Sequence, residues 1–223
     1  MSEPASGSTL NIKGLILLPA VITLAITLLR LAGELAHWSP RFFSAAPGGG
    51  LAIIGISWLP FLFGPYFAVK LTGSGQGAPS LWKAFGFTLL GLVIAVAAIF
   101  LGNAGKLKFS GKLWVIYLLM VLGACVVVLG WPALFKVLVA YGYAARIPVA
   151  IIMLFAMRGH WGTHYDALPS NYAGPASFIG KYMMMAFVPQ MVLWIAFTVL
   201  VGAFVGTIVA AIVGRGKATP AAT

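Results

Sequence analysis

The sequence predicts an all-α fold, a polytopic transmembrane helix bundle of about six spans with kinked helices. Three observations predict it. The 223-residue chain is 61% hydrophobic and only 8% charged, whereas a soluble domain is about 45–50% apolar and about 25% charged. A water-soluble fold of this length cannot hide so much apolar surface, so lipid must cover it. The apolar residues also fall into runs of roughly the 20 residues that an α-helix needs to cross a bilayer. Finally, turn-forming, basic and aromatic residues collect between these runs or at their ends, where the interfaces lie.

A stretch containing Ser, Gly and Pro opens the chain, and residues 1–13 read as a disordered tail. Span one covers residues 14–35. It exceeds a signal-peptide core, and Arg30 and Glu34 stand where cleavage would fall, so a retained span is expected. Trp38 and Pro40 close it. A loop with Pro47 and three following glycines leads to span two, residues 51–71. Pro60 and the Gly64-Pro65 pair predict a kink or break near mid-membrane, because each proline removes an intrahelical hydrogen bond.

Span three covers residues 84–101, followed by a basic loop with Lys106, Lys108 and Lys112. Span four covers 113–131, with Trp114 and Trp131 placed as interfacial anchors at its two ends. A tight connection from Pro132 to Lys136 leads to span five, 137–157, which carries Arg146 near its middle and Pro148 just after. The longest polar segment, 158–181, precedes span six, 182–213, which exceeds the crossing length and is expected to tilt or project. The transmembrane domain is therefore 14–214, with 215–223 as a C-terminal tail.

The 14 Lys and Arg outnumber three acids, Glu3, Glu34 and Asp166. Most basic residues stand singly between apolar runs, which points to anionic lipid headgroups as their partners. There is no basic stripe with interleaved aromatics, so no nucleic acid is expected. The basic residues divide equally between the two faces of a six-span bundle, which leaves orientation open. The expected location is a bacterial inner membrane, crossed several times. Cys125 is the single cysteine; it lies in an apolar run and reads as a small hydrophobe.

Each ionisable residue inside a span is informative, because a charge at the bilayer centre costs about 2.5–3.5 kcal/mol even on insertion scales. Arg146 has three readings: a fixed cation for an anionic ligand or lipid, a guanidinium satisfied by carbonyls freed at Pro148 or in span two, or a side chain snorkelling to an interface. Arg30, Glu34 and His37 share one face at the end of span one. With Arg41 they form either an ordinary interfacial cluster or the wall of a polar site.

The segment from Arg158 to Asp166 is the densest polar cluster. His160 and His164 stand at i and i+4, a spacing that can chelate a metal. Six-span topology puts His37 on the same face, so His37, His160, His164 and Asp166 are the candidate set for a metal ion. Alternatively, His37 with His160 or His164 would ligate a haem. Ordinary interfacial residues are the plain alternative. Gly202, Gly206, Ala210 and Gly214 recur every four residues on span six. Such a stripe admits a close helix, either within the bundle or from a second copy or membrane-complex partner.

No nucleotide-binding, nucleophile-elbow or paired-cysteine motif is present. The leading functional expectation is a bundle whose polar cavity binds or moves a small anionic ligand or lipid. A membrane enzyme or redox subunit, or an assembly subunit, are the alternatives.

Overall fold

The computed structural model describes residues 11–50, 52–103 and 112–215. It is 76% helical. Helix α1 spans Ile12–Leu35, α2 Leu59–Gly73, α3 Leu81–Asn103, α4 Lys112–Gly130 and α5 Pro132–Gly159. The short α6, Phe178–Tyr182, runs through two wide π-turn segments, Met183–Phe187 and Pro189–Leu193, into α7, Trp194–Arg215. Five helical rods are long and apolar enough to cross a bilayer. With the shorter α2 they form a bundle of about six, and the chain is a multi-pass integral membrane protein. The tail residues 1–10 and 216–223 and most of the basic loop lie outside the described residues.

Helix α1 begins at Asn11, whose side-chain oxygen accepts from the Gly14 N–H at 2.9 Å. Its sides are inverted relative to a soluble helix. The residues it buries are Pro19, Thr23, Thr27, Arg30, Gly33 and Glu34, whereas Leu17, Leu18, Val21, Leu28 and Leu29 point outward. In lipid this is the sensible arrangement, since the outside is the apolar phase and polar groups must find partners within. Both threonines turn their hydroxyls back to a carbonyl one turn earlier, and Thr23 also meets the Tyr141 hydroxyl at 2.8 Å.

Helix α7 is the hub, packing on α2, α3, α4 and α5. Leu134, Leu138 and Tyr141 of α5, Phe67 and Leu71 of α2, and Val199 and Leu200 of α7 are among the largest side chains of the core. The glycine stripe is used within the chain. Gly206 faces the Gly64 carbonyl and Ala68 of α2, while Gly202 faces Leu138 of α5 and, on α2, Gly64. These are close approaches of the small-residue type.

Four expectations about the elements change. Span two is not helical from residue 51: the chain stays irregular until α2 starts at Leu59, and Pro60 sits in its first turn, where a missing N–H costs nothing. At 15 residues, α2 is about 22 Å long, less than the hydrocarbon thickness. Trp114 is 65% exposed as an interfacial anchor should be, but Trp131 is 1% exposed. It forms the one-residue break between α4 and α5 and donates its indole N–H to the Gln76 carbonyl at 3.0 Å. Span five is longer at both ends than 137–157, which puts Arg146 at the centre of a 28-residue helix. Span six begins at Phe178, before residue 182.

Candidate functional site

The irregular segment before α2 leaves carbonyls outside any helical ladder. Arg30 collects them. Its Nη1 donates to the Ile54 carbonyl at 2.9 Å, and its Nη2 to those of Gly49 at 2.9 Å and Ser44 at 3.2 Å. The glycine loop wraps the guanidinium tightly. A Cβ on Gly49 would lie 2.6 Å from Nη2, and one on Gly55 2.9 Å from Nη1. Gly49 also holds φ of +81°, which favours glycine for a second reason.

The remaining guanidinium edge of Arg30 pairs with Glu34, Nε to Oε1 at 2.8 Å. Glu34 is 3% exposed. It reaches across to the loop after α5, accepting from the His164 backbone N–H at 2.8 Å and meeting His164 Nδ1 at 2.6 Å. Next in the chain, Tyr165 donates its hydroxyl to the Thr27 carbonyl at 3.2 Å. Glu34 thus ties the end of α1 to the loop after α5, and its partner Arg30 ties it to the segment before α2.

His164 is held below the usual histidine range. Burial is the main cause, with the nearby Arg30 charge adding to it, against an opposing pull from Glu34. The ring is therefore neutral at neutral pH, and Nδ1–H donates to Glu34. The sign for stability follows: protonation is easier in the unfolded chain, so this contribution is fully present above about pH 6.5 and falls away as pH drops below it. Thermal unfolding from pH 8 to pH 5 should show a decline below pH 6.5. His164→Asn, which keeps a donor near the Nδ1 position, should make that decline shallower; an unchanged slope would exclude His164 as its source.

The second arginine is in the opposite condition. Arg146 is 4% exposed at the middle of α5. Its Nη1 donates to Gln190 Oε1 at a long 3.3 Å, its guanidinium lies 4.5 Å from the centre of the Trp194 ring, and its buried Nε has no partner. No carboxylate pairs with it among the described residues. Arg30 and Glu34 neutralise each other. Asp166 is committed to its own loop, accepting from the Gly162 and Thr163 N–H groups and the Thr163 hydroxyl.

Arg146 and Arg30 line the same cavity, of about 470 Å³, together with His164, Tyr165, Gln190 and Trp194. Gln190 sits in the π-turn segment that begins at Pro189. Widened turns recur at functional sites because they re-aim side chains off the regular helical track. Met185, from the first π-turn segment, and Met153 and Met157 of α5 supply apolar wall.

The expected residues therefore separate. Arg146, Arg30 and His164 reach the cavity wall, and Glu34 stands behind Arg30 and His164 as their anchor. Asp166 borders the cavity with its oxygens already used. Arg41 and His37 are exposed and lie away from the wall. So does His160. Among the described residues no three His, Cys, Asp or Glu side chains converge as a metal set, so His37, His160, His164 and Asp166 are not gathered as the spacing suggested.

His37 and His160 share a different task. Each adopts positive φ, +53° and +51°, and follows a helix end closed by a wide hydrogen bond, from Trp38 N–H to the Gly33 carbonyl and from Trp161 N–H to the Ala156 carbonyl. These are helix-terminating turns, in which a left-handed residue satisfies the last carbonyls. Arg146 likewise does not take the freed carbonyls, nor does it snorkel; Arg30 does the former. Gln190, Thr27 and Trp194 belong to the site although the sequence reading passed over them. Gln190, the one side-chain amide in the last apolar run and next to a proline, was the available signal.

Together the fold and the site define a class: a multi-pass helical membrane protein with a partly open cavity of mixed lining beside a buried cation. Comparison with protein-family models finds no match, and neither curated proteins nor solved structures give one.

Proposed function

We propose that the protein binds, or moves, a small anionic ligand held by Arg146 in this cavity. One observation carries the proposal: a buried guanidinium at the centre of a membrane-spanning helix has an unpartnered N–H and no counter-ion among the described residues. A charge at that depth is costly, and an unmade buried hydrogen bond adds roughly 1–3 kcal/mol. An anion in the cavity removes both costs. The setting we expect remains a bacterial inner membrane.

The test is Arg146→Gln in protein purified in nanodiscs and examined by native mass spectrometry. Loss of a charge-assisted hydrogen bond, worth about 1.5–3 kcal/mol, should weaken anion retention roughly ten- to hundredfold. Unchanged folding with unchanged retention would overturn the reading. Among the described residues no three metal-ligating side chains converge, and the internal use of Gly202 and Gly206 gives an assembly role no specific support.

A further inference from the structure

Resting on the anion-binding reading, we infer that the ligand is a single-chain amphiphile, an anionic headgroup on an acyl- or prenyl-type tail. The argument starts from the wall beside Arg146. Trp194 carries the guanidinium on one side and also lines a second hollow of about 350 Å³. That hollow shares Ser57 and Trp194 with the polar cavity, and its other walls include Phe61, Ile99, Leu193 and Phe197. Phe61 and Ile99 are about half exposed, 51% and 46%, on the apolar outer surface. A polar chamber thus adjoins an apolar groove that opens toward the lipid side, with Trp194 as the common partition.

The charge pattern selects the headgroup. Among the described residues only Nη1 of Arg146 finds a hydrogen-bond partner, while Nε is buried without one. The unneutralised guanidinium on the cavity wall is the kind of group that receives a phosphate or carboxylate. His164 spends its one ring N–H on Glu34, so it offers an anion no ring donor and the headgroup rests on Arg146. The groove contributes no charge of its own, which suits a hydrocarbon tail. A small inorganic anion would satisfy Arg146 and leave the groove unused; an amphiphile uses both.

The experiment compares dodecyl phosphate, dodecanoate, dodecanol and inorganic phosphate against the full chain in phosphatidylcholine nanodiscs. Empty nanodiscs correct for partitioning. One dodecyl phosphate or dodecanoate should bind per chain, at least tenfold more tightly than dodecanol or inorganic phosphate. Ile99→Trp, which fills the groove from a half-exposed position, should weaken the amphiphile at least tenfold and leave inorganic phosphate unchanged. Arg146→Gln should abolish the preference for charged over neutral headgroups. If inorganic phosphate binds as well as dodecyl phosphate and Ile99→Trp changes nothing, the amphiphile inference is overturned while the anion site stands. If no anion binds in an Arg146-dependent way, both fall. Because the wild-type comparison and Ile99→Trp leave the core intact, a folding failure of Arg146→Gln does not shield the inference.

Discussion

Glu34→Ala is expected to destabilise the protein by about 3–5 kcal/mol, the range seen when one partner of a buried ion pair is removed. Glu34 is the anchor for three separate contacts, one to Arg30 and two to His164. Its loss strands the Arg30 charge in a low-dielectric setting and leaves the His164 backbone N–H unpaired. The loss should show as a lowered unfolding temperature in detergent, read by circular dichroism. Hydrogen exchange should rise across residues 160–177, because that segment loses its tie to α1. Arg30→Ala should be costly as well, since the carbonyls of Gly49 and Ile54 then lack a donor. The double variant should cost less than the sum of the two, as contacting partners do. A loss below about 1 kcal/mol with unchanged exchange would mean that Glu34 does not hold this face together.

Gly64→Ala is the second large effect. A Cβ on Gly64 would lie 2.5 Å from the Gly202 Cα and nearer still to its carbonyl oxygen. The obstacle is backbone, which no rotamer change relieves, so α2 and α7 must separate. Overpacking of this kind costs about 1–3 kcal/mol and occasionally more. In lipid the effect is specific to packing, because helices gain nothing from leaving an apolar solvent for one another. Gly86 on α3 is the control: nothing lies within 4 Å of a Cβ there, and alanine removes the helix penalty of glycine, about 1 kcal/mol. Unfolding should therefore fall sharply for Gly64→Ala and stay level or rise for Gly86→Ala. Equal behaviour of the two would refute the close-approach account.

The apolar runs were readable because bilayer thickness imposes one length on every crossing helix, whatever its neighbours. Arg146 was readable for a related reason, since a cation inside an apolar run conflicts with the solvent and needs an explanation. Span two was not. Its composition is as apolar as the others, and partners distant in the chain, Arg30 of α1 and the Arg41 and Phe42 carbonyls, support an irregular backbone before Leu59. The histidines misled because spacing along the chain says nothing about backbone φ. Two of them turned out to end helices, and the third spends Nδ1 on a carboxylate 130 residues away in sequence.

By itself, then, the sequence determined that this protein lives in a membrane as a bundle of about six helices, with a cation, Arg146, near the middle of one of them. Hydrophobic burial sums over composition and run length, so it needs no knowledge of partners. Only the tertiary structure decided which arginine is satisfied and which is not. Hydrogen bonds and ion pairs are short-ranged and directional, and their partners here come from helices and loops far apart in the chain. That decision separates Arg30, which holds the fold, from Arg146, which faces a cavity with a donor to spare.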